Sequence, residues 1–210
     1  MQDTLARLGI KFKDPKQDRS YKTLDDLLDA ATLLVKNGDP DKFTARELAR
    51  ISGYSLGTTS RRLVQIENVF LCAIDEGRKR YFDGFINFIN NCDPAYKVQY
   101  FCNDFAHLCI SQINKASPEV MKFFESRLLQ RTKKGTYSDG YVDFFKQSMI
   151  SLSQRNTSGT FREIHAGNVN LIVKPLAVAL ERPFLEDDPI AGTMEHKEQL
   201  ADLMYRVLRA

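Results

Sequence analysis

The chain has 210 residues, 43% of them hydrophobic and 27% charged, with a formal net charge of +3. That length buries a sizeable core with room for two modules, and the composition is that of an ordinary globular protein, not a disordered or collagen-like one. No run of about 18 apolar residues marks a membrane span, and residues 1–23 lack the apolar stretch of a secretory signal, so a cytoplasmic location is expected.

The charge is unevenly placed. Residues 1–65 hold 12 Lys/Arg against 9 Asp/Glu, while residues 66–210 hold 18 of each. Lys11, Lys13, Lys16, Arg19 and Lys22 crowd the start, around Pro15. Residues 1–22 read as a basic arm, either a solvated tail or one that tracks phosphates. A first helix follows, with Leu24, Leu27, Leu28, Ala31, Leu34 and Val35 as its core stripe.

The segment Thr44–Leu63 carries the strongest signal. Thr44 and Glu47 have capping-box spacing, and Ala45, Leu48, Ala49 and Ile51 share one helical face. Gly53 stands where a left-handed residue ends a helix, Tyr54 can pack down, and Ser55 can cap a second helix. That second helix, Leu56-Gly-Thr-Thr-Ser-Arg-Arg62, is built of poor helix formers. It gains little from burial, so its outward face is expected to meet something external. Thr59 and Leu63 are expected to face inward. Hydroxyls and arginines suit phosphates and base edges. The layout is that of a helix-turn-helix, which lays its second helix in the DNA major groove. A plain helical hairpin with a polar surface is the alternative.

From Leu24 to about Ala73 the chain resembles the TetR family of bacterial transcriptional regulators. The amphipathic run Leu27–Gly38 is similar to that family's first helix, and Gly53-Tyr-Ser-Leu-Gly-Thr-Thr-Ser-Arg-Arg-Leu63 to its reader motif. The resemblance implies that Arg46 contacts a base and that Leu56, Gly57 and Thr58 meet bases or sugar edges. It implies that Ser60, Arg61 and Arg62 hold phosphate, with Ser55 at the cap and Lys22 from the arm beside them. Three positions depart from the family pattern: Ser60 replaces a phosphate-binding Tyr, Arg62 a His, and Ile66 a Lys.

The remainder reads as helix throughout. A long fourth helix runs from Glu67 to Asn91 and Asp93-Pro94 breaks it; residues 95–115 form the next. Ser117-Pro118 starts another. A loop at Lys133–Thr136 precedes a helix capped by Ser138 or Asp139, and Asn156–Thr160 is a loop. Ile164–Glu181 is expected as a helix kinked at Pro175, Pro183–Gly192 as a connector, and Thr193–Leu208 as the last helix. The fold expected is all-α with about nine helices: a three-helix reader over 23–68, then a ligand-binding and dimerisation domain over 69–210.

Aromatic residues crowd 96–150, and bundles enclose ligands between helices. Phe101, Phe105, His107, Phe124, Tyr141 and Phe145 are candidate lining for an apolar effector pocket, with core packing as the alternative for each. By resemblance, the last two helices pair with a twin. Ile172, Leu176, Leu180, Leu200, Leu203, Met204 and Val207 are candidates for that seam.

Catalytic and metal signals are missing. The three histidines are far apart, no HExxH, GxSxG, Walker or GxGxxG motif occurs, and His107 lies off the face shared by Cys102 and Cys109. The four cysteines form no CxxC pair and read as small buried residues. No cofactor or metal is expected. The function expected is a homodimeric DNA-binding regulator, a repressor released from double-stranded operator DNA by a small apolar effector. The alternative is a TetR-like ligand- or protein-binding protein in which DNA reading is weak or lost.

Overall fold

The computed structural model describes residues 18–63, 65–132 and 140–210. Among them are nine α-helices and one short 3-10 turn: α1 Asp18–Lys36, the turn Pro40–Lys42, α2 Ala45–Ser52, α3 Leu56–Arg62, α4 Ile66–Asn90, α5 Val98–Ile113, α6 Pro118–Thr132, α7 Gly140–Arg155, α8 Val169–Leu185 and α9 Met194–Leu208. The all-α expectation holds. A single antiparallel bridge, Phe161 to Arg209, is the β-structure among the described residues. No helix among them is long and apolar enough to cross a membrane.

Packing divides the chain into two units: Met1–Lys79 with Ala116–Asp139, and Arg80–Lys115 with Gly140–Ala210. In the first, α1 turns Leu24, Leu27, Ala30, Ala31 and Leu34 inward to meet Leu48, Leu63, Val69, Phe70 and Ala73. Burying Phe70 completely stabilises the unit by roughly 1.5–3 kcal/mol. Phe43 stacks on Phe70 with centroids 4.4 Å apart and meets the edge of Phe123 at 5.2 Å. Helix α1 begins four residues before Lys22, so Lys22 is a helical residue and not part of an extended arm. The nearest upstream helix breaker is Pro15. Lys11, Lys13 and Lys16 lie outside the described residues, as do the Lys133–Thr136 loop, Ser138 and Asp139.

Helix α6 packs in the same unit. Val120 and Phe124 join Leu71, Cys72 and Ile74 in a second cluster. Ser117 begins α6 as expected, its Oγ accepting from Val120 N–H at 3.3 Å. The same hydroxyl donates to the Gly38 carbonyl at 2.9 Å. Gly38 has φ +75°, and a Cβ there would lie 2.9 Å from Ser117 Cβ, so this close approach requires glycine. Arg127 pairs with Glu67 at 3.2 Å.

The second unit is built on rings and on the last two helices. Phe85, Phe88, Phe101, Phe105 and Phe145 contact one another, with Phe101 to Phe105 at 5.4 Å and Phe105 to Phe145 at 6.0 Å, both stacked. Helix α9 packs mainly on α5 and also on α8. Helix α8 starts at Val169, later than the expected Ile164, because Asn168 closes a turn there. Its Nδ2 donates to Glu163 O at 3.0 Å and its Oδ1 accepts from His165 N–H at 2.9 Å. The helix also runs through Pro183, which was expected in a connector.

The passage through Pro183 has a specific compensation. Proline has no N–H, so the Ala179 carbonyl four residues earlier loses its helical donor. His196 Nε2 lies 2.9 Å from that carbonyl, and His196 Nδ1 accepts from Gly192 N–H at 3.1 Å. The second bond makes Nδ1 the acceptor and so puts the proton on Nε2. His196 is 2% exposed and substitutes from α9 for the bond that Pro183 removes from α8.

His196→Leu should therefore cost about 1–3 kcal/mol in urea denaturation, since it leaves a buried carbonyl unpaired. Pro183→Ala should recover part of that loss in the His196→Leu background, by returning an N–H to α8. Strict additivity of the two changes would refute the compensation.

Candidate nucleic-acid interface

Helix α2 is capped as the sequence indicates, by half of the expected box. Thr44 Oγ1 accepts from Glu47 N–H at 3.3 Å. The Glu47 carboxylate does not return to the Thr44 amide, which donates instead to Lys42 O at 2.7 Å. It is drawn to Arg50, at 2.9 Å from Nε and 2.8 Å from Nη2. Charge-assisted pairing outcompetes a neutral amide bond. Gly53 then ends the helix at φ +75°, its N–H bonded to Ala49 O at 3.1 Å. Leu48 is fully buried, while Ala45, Ala49 and Ile51 are half-buried.

Helix α3 has seven residues and no apolar stripe of its own. Ser55 Oγ caps Thr58 N–H at 3.1 Å and lies 2.9 Å from Thr58 Oγ1. Thr59 is fully buried, with its hydroxyl on Ser55 O at 3.2 Å, and Leu63 is buried in the core. Both inward assignments hold. On the outward side, Ser55, Leu56, Gly57, Ser60, Arg61 and Arg62 are exposed, Leu56 by 50%. Thr58 is half-buried. Arg61 Nε folds back to the Gly57 carbonyl at 3.0 Å.

Arg46 on α2 and Lys22 on α1 are exposed in the same unit. Arg50 and Lys42 differ from them, because each already holds a neighbouring carboxylate, Glu47 and Asp39. The Lys42 ammonium beside Asp39 keeps the Asp39 carboxyl below its ordinary range. Gly57 has ordinary backbone angles, and a Cβ there would meet nothing nearer than 3.9 Å. The fold thus has no internal use for a bare residue at position 57. The turn holds one contact that no spacing reveals. Tyr54 Oη donates to Asp26 Oδ2 at 2.7 Å, across 28 positions.

Two solved structures match almost the whole chain. One is assigned to the TetR family of transcriptional regulators and comes from Mesorhizobium loti MAFF303099; it is 15% identical, covers 91% of this chain and 95% of its own, and has a TM-score of 0.61. The other, from Shewanella sp. PV-4 and assigned to the same family, is 13% identical, covers 90% and 98%, and has a TM-score of 0.50. The chain has the TetR-regulator fold. At these identities the likeness is one of fold. No family model matches the sequence, and no curated protein does. On this TetR-like frame Ile66 is half-buried and packs against the reader core, so it offers no cation at the start of α4.

The expected effector pocket is not assembled as a group. Phe101, Phe105 and Phe145 are buried together, but their rings fill the space against one another. His107 is exposed, on the side of α5 away from Phe105 and Cys109, because it lies off their helical stripe. Phe124 belongs to the first unit, under the Arg78 guanidinium at 5.0 Å. The side chain of Tyr141 lies outside the described residues. A cleft of about 390 Å³ in the second unit is lined instead by Lys97, Gln99, Thr160, Tyr205 and Arg209, with their neighbours.

Five of the seven candidate seam residues are taken up inside the protomer. Ile172, Leu176, Leu180, Leu200 and Met204 are buried within the protomer itself, and Leu203 and Val207 are half-buried. The five buried residues close its core, since α9 packs on both α5 and α8, while Leu203 and Val207 keep part of their surface outside it. Helix α8 shows a different apolar face to solvent: Leu171 is 77% and Val178 56% exposed, with Pro175 exposed between them. All four cysteines are buried. Burial pushes the Cys102 thiol up to about 12 and raises Cys92 and Cys109 as well, so these thiols are protonated and unreactive at neutral pH.

The two reader glycines should respond in opposite directions. Gly57→Ala is expected to stabilise the protein by about 0.5–1 kcal/mol, by adding helix propensity without a clash. Gly53→Ala is expected to destabilise it by about 1–2 kcal/mol, because alanine resists the left-handed backbone. Thermal unfolding of the two variants checks both signs.

Proposed function

We propose that the protein is a helix-turn-helix transcriptional regulator that binds duplex DNA as a homodimer. The observation that carries this reading is the outward face of α3. Six of its residues and cap are exposed, two are arginines, and Gly57 is bare with no internal reason to be. In this reading residues 23–68 are the reader, and Arg46 contacts a base. Leu56, Gly57 and Thr58 meet base or sugar edges, and Ser60, Arg61, Arg62 and Lys22 hold phosphate. The protein acts by binding, not catalysis, in the cytoplasm.

Residues 69–210 serve ligand binding and dimerisation. The protein represses, and a small apolar effector releases it from DNA. The effector enters among Phe101, Phe105 and Phe145 by displacing a ring. A second copy covers the exposed face of α8, because a reader this short needs two half-sites one DNA turn apart, about 34–36 Å. A second reading, a TetR-like binding protein with DNA reading lost, draws on the short Ser60 and the half-buried, uncharged Ile66.

Fluorescence anisotropy on DNA from upstream of the protein's own gene should show binding that weakens steeply with salt. Arg46→Ala should cost about 1–3 kcal/mol and relax specificity at one base. Gly57→Ala should lower affinity even though it stabilises the fold. Absence of binding to any genomic fragment at low salt would favour the second reading.

Sedimentation velocity checks the assembly separately. Leu171→Glu with Val178→Glu should convert a dimer to a folded monomer. Leu200→Glu, on the buried side of α9, should unfold the protein instead. A dimer that survives the α8 pair would place the seam elsewhere.

A further inference from the structure

Three residues seat helix α3 on its unit. Thr59 is fully buried beneath the helix, its hydroxyl bonded internally to Ser55 O. Leu63 sits in the core through apolar contact, which has no direction of its own. The third is Tyr54, placed between Gly53, which ends α2, and Ser55, which caps α3. Its ring is half-buried against the reader core, and its hydroxyl donates to Asp26 Oδ2 on α1 at 2.7 Å.

The three are not equivalent. An apolar seat lets a seven-residue helix roll while it stays buried. A short hydrogen bond restricts both distance and angle, and this one joins the turn to a separate helix. Asp26 also stands one turn after Lys22 on α1, so the bond links the phosphate-side lysine to the base-side helix.

We propose that Tyr54 is a positioning residue for DNA reading. Its hydroxyl, held by Asp26, sets the angle at which α3 leaves the turn, so that Leu56–Thr58 and Lys22 meet one duplex in register. This rests on the DNA reading proposed above. Non-specific binding needs only charge, whereas sequence reading needs the base-facing atoms in place. Loss of the bond therefore alters the ratio between the two.

The test uses the full chain to enrich duplexes from a random pool. Affinities for the enriched duplex and a scrambled one are then measured by anisotropy for wild type, Tyr54→Phe, Asp26→Ala and Asp26→Asn, each confirmed folded by circular dichroism. Tyr54→Phe and Asp26→Ala should bind the enriched duplex about tenfold more weakly, the equivalent of one lost directed bond. Their binding to the scrambled duplex should stay within about twofold, with an unchanged salt slope. Asp26→Asn keeps an accepting oxygen and should read like wild type. An unchanged enriched-to-scrambled ratio in Tyr54→Phe overturns the proposal and leaves the hydroxyl a purely structural role. Failure of the wild type to enrich any duplex overturns the DNA reading itself.

Discussion

Helix α3 has almost no stability of its own, and the unit that holds it is organised around that constraint. Seven residues that include glycine, two threonines and a serine are far below the length at which a helix persists alone in water. What holds it is the cluster beneath: Leu48, Leu63, Val69 and Phe70, closed by α1. The cap at Ser55 and the bond from Tyr54 to Asp26 then set where the helix begins and how it lies. Because Thr59 and Leu63 carry the attachment, the other positions are released from packing.

Charge follows the same division. Arg50 and Lys42 are taken up by Glu47 and Asp39, while Arg46, Arg61 and Arg62 are exposed without a carboxylate partner among the described residues. The diversion of Glu47 from the Thr44 amide to Arg50 is small in energy, since the pair is exposed. It nevertheless sorts one arginine of α2 from another. Helix α6 supports the reader from behind, through Ser117 on Gly38 and Arg127 on Glu67, although in sequence it is separated from it by α5.

The second unit shows what a residue pattern leaves open. Apolar residues at three-and-four spacing on α8 and α9 mark a buried face, but the same stripe fits a core and a seam between copies. The structure turns Ile172, Leu176 and Leu200 into the protomer and leaves Leu171 and Val178 outside. Aromatic crowding is ambiguous in the same way. Phe101, Phe105 and Phe145 stack into each other, and Phe124 joins a different unit, because contact depends on chain reversals and not on nearness in sequence.

The local features were legible in the residues alone: the all-helical class, the Thr44 and Ser55 caps, the left-handed Gly53, the Ser117-Pro118 start and the inward Thr59 and Leu63. Each depends on interactions within about four residues, where helix geometry and hydrogen-bond chemistry leave few choices. Tertiary structure alone decided the rest. It joined Tyr54 to Asp26, used His196 to repair the gap left by Pro183, placed α6 with the reader and set His107 in solvent. Those outcomes depend on which distant segments share space, and the periodicity of one helix carries no information about its neighbour.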